Sequence, residues 1–133
     1  MKNITLIGAS AFLLFMSCQS NKANNQEQSI TTAKEAIVVH DEIMPQIAHF
    51  DRATLKIDSI LSTNINESAK KDLNTLKTNL EEATDNMMTW MKEYEADSIN
   101  IKYQEAELTK IKAMKKQFEN VSLESNTKLS QYK

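Results

Sequence analysis

The sequence predicts an all-α domain, an antiparallel up-down-up three-helix bundle formed by residues 29–133. Three observations predict it. The 133-residue chain has one glycine, Gly8, and one proline, Pro45. Beyond residue 18 it therefore lacks the residue that left-handed turns and phosphate loops rely on. Good helix formers dominate that part, with Ala, Glu, Lys, Leu, Met and Gln the frequent types. Apolar residues recur there at steps of three and four through three long stretches, which is the period of a helix with one buried stripe.

The first 17 residues read as a targeting signal and stand outside the fold. Met1-Lys2 gives a positive start, and Ile4 to Met16 is an apolar run too short for a permanent membrane span. It ends at Ser17-Cys18, a small residue before the chain's single cysteine. This arrangement resembles the lipobox of bacterial lipoproteins, with Phe15 at the place where Leu is usual. It implies cleavage before Cys18, diacylglycerol on its sulfur and a third acyl chain on its new amino group. Two or more chains anchor a protein stably. Residues 18–28 then form a lipid-anchored, flexible tether. Gln19 to Gln28 is polar and without a branched apolar residue, so it has no face to bury. As a flexible chain it would reach roughly 15–20 Å.

The first helix is expected from about Ser29 to Leu61, with its stripe at Ala36, Val39, Ile43, Ile47, Phe50, Ile57 and Leu61. Pro45 falls inside it. A proline there removes one backbone bond and crowds the carbonyl of Asp41, which predicts a kink without a break, because the stripe stays in phase on both sides. Ser62 to Asn66 forms the first turn, with Asn64 and Glu67 as a capping box. The second helix has the cleanest pattern. Ala69, Leu73, Leu76, Leu80, Ala83, Met87, Trp90 and Tyr94 alternate steps of four and three, a heptad seam. The chain turns again near Glu95 to Ser98, with Asp97 or Ser98 as N-cap. The third helix buries Tyr103, Ala106 or Glu107, Ile111, Met114, Phe118 and Val121, then frays after Ser125, with Leu129 and Tyr132 as last contacts. Short turns between long helices force antiparallel neighbours. A dimer of elongated hairpins is the alternative arrangement.

Residues equally far from a turn face each other in an antiparallel pair. His40 then lies level with Met88 to Trp90, and Trp90 with Gln104. One end of the bundle gathers His40, Asp41, Met44, Pro45, Met87, Trp90, Met91, Tyr94, Tyr103 and Glu107. The other end is plain Leu, Ile and Ala. His49 falls on a solvated face. His40-Asp41-Glu42-Ile43-Met44-Pro45, then Met87-Met88-Thr89-Trp90-Met91-Lys92-Glu93-Tyr94, then a third helix with a tyrosine near its start, resembles a group of short uncharacterised bacterial lipoproteins often labelled "viral A-type inclusion protein". The resemblance implies a lipoprotein and a helical fold, and no activity.

Three roles are open to this cluster. In the first, Met88, Trp90 and Met91 form an exposed, adaptable apolar patch for an envelope protein partner or a second copy of the chain. In the second, His40, Met44, Met87 and Met91 hold a soft metal, Cu(I) above all. Spacing at i, i+4 puts each pair on one helix face. Asp41 or Glu42 would fix the histidine tautomer and Trp90 would shield the ion. Haem is disfavoured for want of Cys-x-x-Cys-His. In the third, the methionines fill the core and a Tyr–His–Asp network locks the helices. An enzyme is not expected, since nothing supplies a nucleophile with a base and an oxyanion hole. A net charge of −2 argues against nucleic acid. No cofactor other than copper is suggested. Gln19 after Cys18 favours the periplasmic face of the outer membrane. Lipidation makes a direct prediction. Cells fed labelled palmitate should label this protein but not its Cys18→Ser variant, and an unlabelled parent protein would contradict the anchor.

Overall fold

The computed structural model describes residues 19–132 and contains three helices: α1 (Gln19–Leu61), α2 (Glu67–Glu93) and α3 (Ile101–Leu129). Cys18 and the expected signal, residues 1–17, lie outside the described residues. The described chain is all-helical, and the helices pack as an up-down-up bundle around one core. Cross-helix pairs fix the directions. Lys77 meets Asp58 at 2.6 Å, so α2 runs against α1. Asn79 meets Glu124 at 3.4 Å, so α3 runs against α2. Lys112–Glu35 at 2.6 Å and Lys115–Glu42 at 2.5 Å then run in the same order along α3 and α1, as parallel helices require. Residues 62–66 and 94–100 form the two links.

The α1 helix begins earlier than the periodicity suggested. It has 43 residues, which at 1.5 Å each is about 65 Å. Its opening turns are the segment expected to act as a tether. Gln, Asn, Lys, Ala and Glu without glycine or proline allow the helix to continue there. Residues 23–28 are all exposed, as expected of a solvated stretch, and Ser29 is the first buried residue described. From there the buried positions are Ser29, Ala33, Ala36, Val39, Ile43, Phe50 and Ile57, with Ile47 and Leu61 half-buried. Pro45 lies inside α1 and does not end it. Both Pro45 and Asp41 are exposed, so water can reach the carbonyl that the proline leaves unpaired.

The heptad seam of α2 packs as the sequence indicates. Leu73, Leu76, Leu80, Ala83, Met87 and Trp90 are buried, and Tyr94 packs against the core from the C-cap. In α3 the core positions are Gln104, Ile111, Met114, Phe118, Val121, Ser125 and Leu129. Tyr103 and Glu107 are only half-buried and Ala106 is exposed, because the polar Gln104 takes the core position at this end. The helix continues to Leu129, and Tyr132 packs against the core beyond it, so the last turns do not fray. In the middle of the bundle Phe50 stacks on Phe118, centroids 4.8 Å apart.

Both caps differ from expectation by a few residues. Asn66, not Asn64, caps α2 and accepts from the Ala69 N–H at 2.9 Å. Ile65 packs against the core just before it, which holds the chain out of the helix for one more residue. Asn100, not Asp97 or Ser98, caps α3, accepting from Lys102 and Tyr103 N–H at 3.1 and 3.3 Å. Ser98 is engaged elsewhere.

Candidate functional site

The end of the bundle that carries the α2–α3 link is built around an aromatic column and a buried amide. His40 of α1 stacks on Trp90 of α2, centroids 5.9 Å apart. Trp90 stacks on Tyr94 at 4.4 Å and Tyr94 on Tyr103 at 6.3 Å. Offset or stacked aromatic pairs of this kind add about 0.5–1.5 kcal/mol beyond the area they bury. Trp90 is 2% exposed, so it belongs to the core and not to a surface patch. That corrects the expectation of an exposed Trp90. The heptad position it holds, three residues after Met87, points it inward.

Gln104 is fully buried, and each of its polar atoms is paired. Its Nε2 donates to the carbonyls of Glu95 and Ser98, both at 3.0 Å. Its Oε1 accepts from the Tyr94 hydroxyl at 2.7 Å. Ser29 donates its hydroxyl to the same Ser98 carbonyl at 2.8 Å, which uses that oxygen's second lone pair. Tyr103 accepts from the Glu95 N–H at 2.8 Å. One amide thus joins α3, the C-cap of α2, the link and, through Ser98, the first buried turn of α1. The expected Tyr–His–Asp network is a Tyr–Gln–backbone network instead, which His40 joins only through the ring stack on Trp90. Gln104 was open to detection, since it lies seven and fourteen residues before the buried Ile111 and Phe118.

The carboxylate partner foreseen for His40 is present. Its Nδ1 lies 2.9 Å from the Asp41 carboxylate, which assigns the proton to Nδ1 and leaves a lone pair on Nε2. The Nε2 atom is buried and has no partner, and neither has the buried Nε1 of Trp90. Glu42 is not available to His40, since it pairs with Lys115 across to α3. The methionines separate. Met87 is fully buried and Met44 packs half-buried against the core, while Met88 and Met91 are 51% and 39% exposed. Among the described residues no three of His, Cys, Asp and Glu are placed to hold a metal ion, so any metal here would depend on thioethers.

Among the described residues, depressions flank the core on two sides. The first, about 550 Å³, lies between α1 and α2 and is lined by Phe50, Asp51, Thr54, Leu55, Leu80, Glu81, Thr84 and Asp85. Heptad spacing continues the lines of its lining residues toward His40. Met44 lies seven residues before Asp51, Ile37 seven before Met44, Met88 seven after Glu81 and Met91 seven after Thr84. The second, about 320 Å³, lies between α1 and α3 and includes His49, Arg52 and Lys56. Lys56 donates to the Leu129 carbonyl at 3.0 Å, where a cation favours the negative end of α3. His49 is exposed, as expected, and pairs with Arg52 at 2.8 Å.

Fold and site together define an elongated three-helix bundle with a polar node at one end. Comparison with family models, with curated proteins and with solved structures found no match to this chain. The resemblance to the lipoprotein group rests on its residue patterns alone.

Burial raises the Tyr94 hydroxyl above its ordinary value of 10.0, with Tyr103 and Glu107 adding to the shift. The unfolded chain therefore loses this proton at a lower pH than the folded one. The resulting stability is fully present below pH 10 and is lost as pH rises from there through the folded value. Urea denaturation across that range should show a smaller alkaline loss in Tyr94→Phe than in the parent protein. Equal losses would place Tyr94 outside the buried network.

Proposed function

We propose that the protein is a lipid-anchored helical bundle of the cell envelope, and that it works as a binding or scaffolding module through the groove between α1 and α2. The observation that supports this reading is the make-up of that groove. Phe50, Leu55 and Leu80 give it an apolar lining, and Asp51, Glu81 and Asp85 line it with acid. Beyond the groove, at heptad spacing toward His40, stand the apolar Met44, Met88, Met91 and Ile37, of which the last three are exposed. An amphipathic helix with a Leu-type stripe and flanking Lys or Arg fits both properties. Exposed thioethers adapt to such a stripe without a preset shape. The acidic net charge of −2 favours a basic partner in the same sense.

Lipidation at Cys18 would hold this module at the membrane, on the periplasmic face of the outer membrane by the sorting pattern of Gln19. Among the described residues no helix is long and apolar enough to cross a membrane. The lipoprotein resemblance agrees with this location. A structural role suits the buried members of the cluster, Met87, Trp90, Tyr94 and Gln104, and leaves recognition to the exposed ones. No catalytic role is proposed.

Methyl NMR of the methionines tests the groove. A synthetic amphipathic helix with a Leu stripe and Lys flanks should shift Met44, Met88 and Met91 and leave the distant Met114 unmoved. An Asp-flanked version of the same peptide should bind at least about tenfold more weakly, and salt should narrow the gap. No shift at those methyls, or equal binding of both peptides, would overturn the reading.

A further inference from the structure

His40 presents an unsatisfied buried nitrogen at the level of the bundle that also carries Met44, Met87 and Met91, and we infer that this is a binding site for a soft monovalent metal ion of the Cu(I) type. The inference does not depend on what fills the groove. It starts from the histidine tautomer. Asp41 holds Nδ1 at 2.9 Å, so the proton sits on that side and Nε2 is free to donate its electron pair. A ring held by a carboxylate on one nitrogen and stacked on Trp90 has little freedom left to turn. The Nε2 atom is nevertheless buried and meets no protein donor. A buried acceptor without a partner is costly, and a fixed one asks for an occupant.

The neighbours determine which occupant suits it. Met44 lies one turn on from His40 along α1. Met87 and Met91 lie three residues before and one residue after Trp90, the residue His40 touches. Met91 shares its side of α2 with Thr84, which lines the groove shared with α1. Met87 is fully buried, Met44 half-buried and Met91 partly open to solvent. These methionines thus span from the core to the surface, with Met91 on the solvent side. Imidazole and thioether together prefer Cu(I) over Zn²⁺, Mg²⁺ or Ca²⁺, which take harder ligands. With no carboxylate or thiolate among the ligands, a single positive charge is also the least costly one to hold in so apolar a place. The competing occupant is a water shared between Nε2 and the unpartnered Trp90 N–H. It would have two good partners, the low end of what buried waters make, since thioethers are weak acceptors.

The test is a Cu(I) titration of the full chain in detergent, carrying Cys18→Ser so that no thiol competes, against a chromophoric Cu(I) chelator. Trp90 is the single tryptophan and reports from beside the ion. The expected result is one Cu(I) per chain with quenching of Trp90 complete at equivalence. His40→Ala should abolish it. Met91→Leu and Asp41→Asn change exposed side chains and leave the core intact; Asp41→Asn should weaken binding by about 10- to 100-fold, the usual effect of losing a supporting group, and Met91→Leu, which removes a ligand, by at least as much. Circular dichroism confirms that each variant remains helical. Failure to compete with the chelator overturns the inference and leaves the water as occupant. Binding that survives unchanged in Met91→Leu and Asp41→Asn overturns it too, because the ion then sits elsewhere.

Discussion

A bundle without glycine or disulfides in its folded part has to close its ends with side chains, and at one end Gln104 does so. Its amide makes three hydrogen bonds inside the protein and leaves no polar atom idle. Every group it pairs belongs to the C-cap of α2 or to the link after it. Ser29 adds the first buried turn of α1 to the same carbonyl. Without Gln104 the Glu95 carbonyl would keep only the Ser98 N–H and the Ser98 carbonyl only the Ser29 hydroxyl. The aromatic column of His40, Trp90, Tyr94 and Tyr103 stands on this node, because Tyr94 belongs to both. A fully satisfied buried network specifies one arrangement of the elements it joins, where apolar contacts alone tolerate several.

The rest of the bundle needs no such device. Leu73, Leu76 and Leu80 face Ile57, Phe50 and Phe118 in an ordinary apolar core. Ion pairs such as Lys77–Asp58 and Lys115–Glu42 lie on the exterior, and each raises its lysine's pKa through the bond to its carboxylate. Exposed pairs of this kind contribute little to stability. They do specify which helix neighbours which, since a shift of one turn would break the α1–α3 pairs together. The division of labour is clear. One half of the molecule is held by burial, and the other by burial together with directional bonds, and the second half carries the unusual side chains.

Much of the fold was legible from apolar spacing. The α2 seam is buried as its steps of four and three require, and the level pairing of His40 with Trp90 follows from counting outward from the first turn. Polar core residues were not legible in that way. Ser29 and Gln104 are buried because their hydrogen bonds are made, and Gln104 was marked only by its heptad distance from Ile111 and Phe118, where hydropathy alone shows a polar residue. The same blindness shifted both caps, since the link's course depends on Ser98 and Ile65 being held. In the candidate site, the His40–Asp41 pair followed from adjacency. The depth of each methionine did not, because rotations of about 100° to Met88 and about 40° to Met91 on α2 are enough to pass from the buried Met87 to exposed positions. Trp90 stood both in the heptad seam and in the suggested surface patch, and the structure decides for the seam. An aromatic residue beside exposed methionines suggests a patch, but its own place in the heptad decides its burial.

Whether this end is fixed by directional bonding can be measured on one variant. Gln104→Leu conserves the apolar filling and removes three hydrogen bonds, leaving the Tyr94 hydroxyl with the Ala33 carbonyl at 3.4 Å, the Glu95 carbonyl with the Ser98 N–H at 3.1 Å and the Ser98 carbonyl with the Ser29 hydroxyl at 2.8 Å. Urea denaturation followed by Trp90 fluorescence should show a loss of about 1–3 kcal/mol or more, with faster amide exchange in residues 94–100. A leucine variant as stable as the parent protein, with unchanged exchange in that link, would mean that burial alone holds this end together.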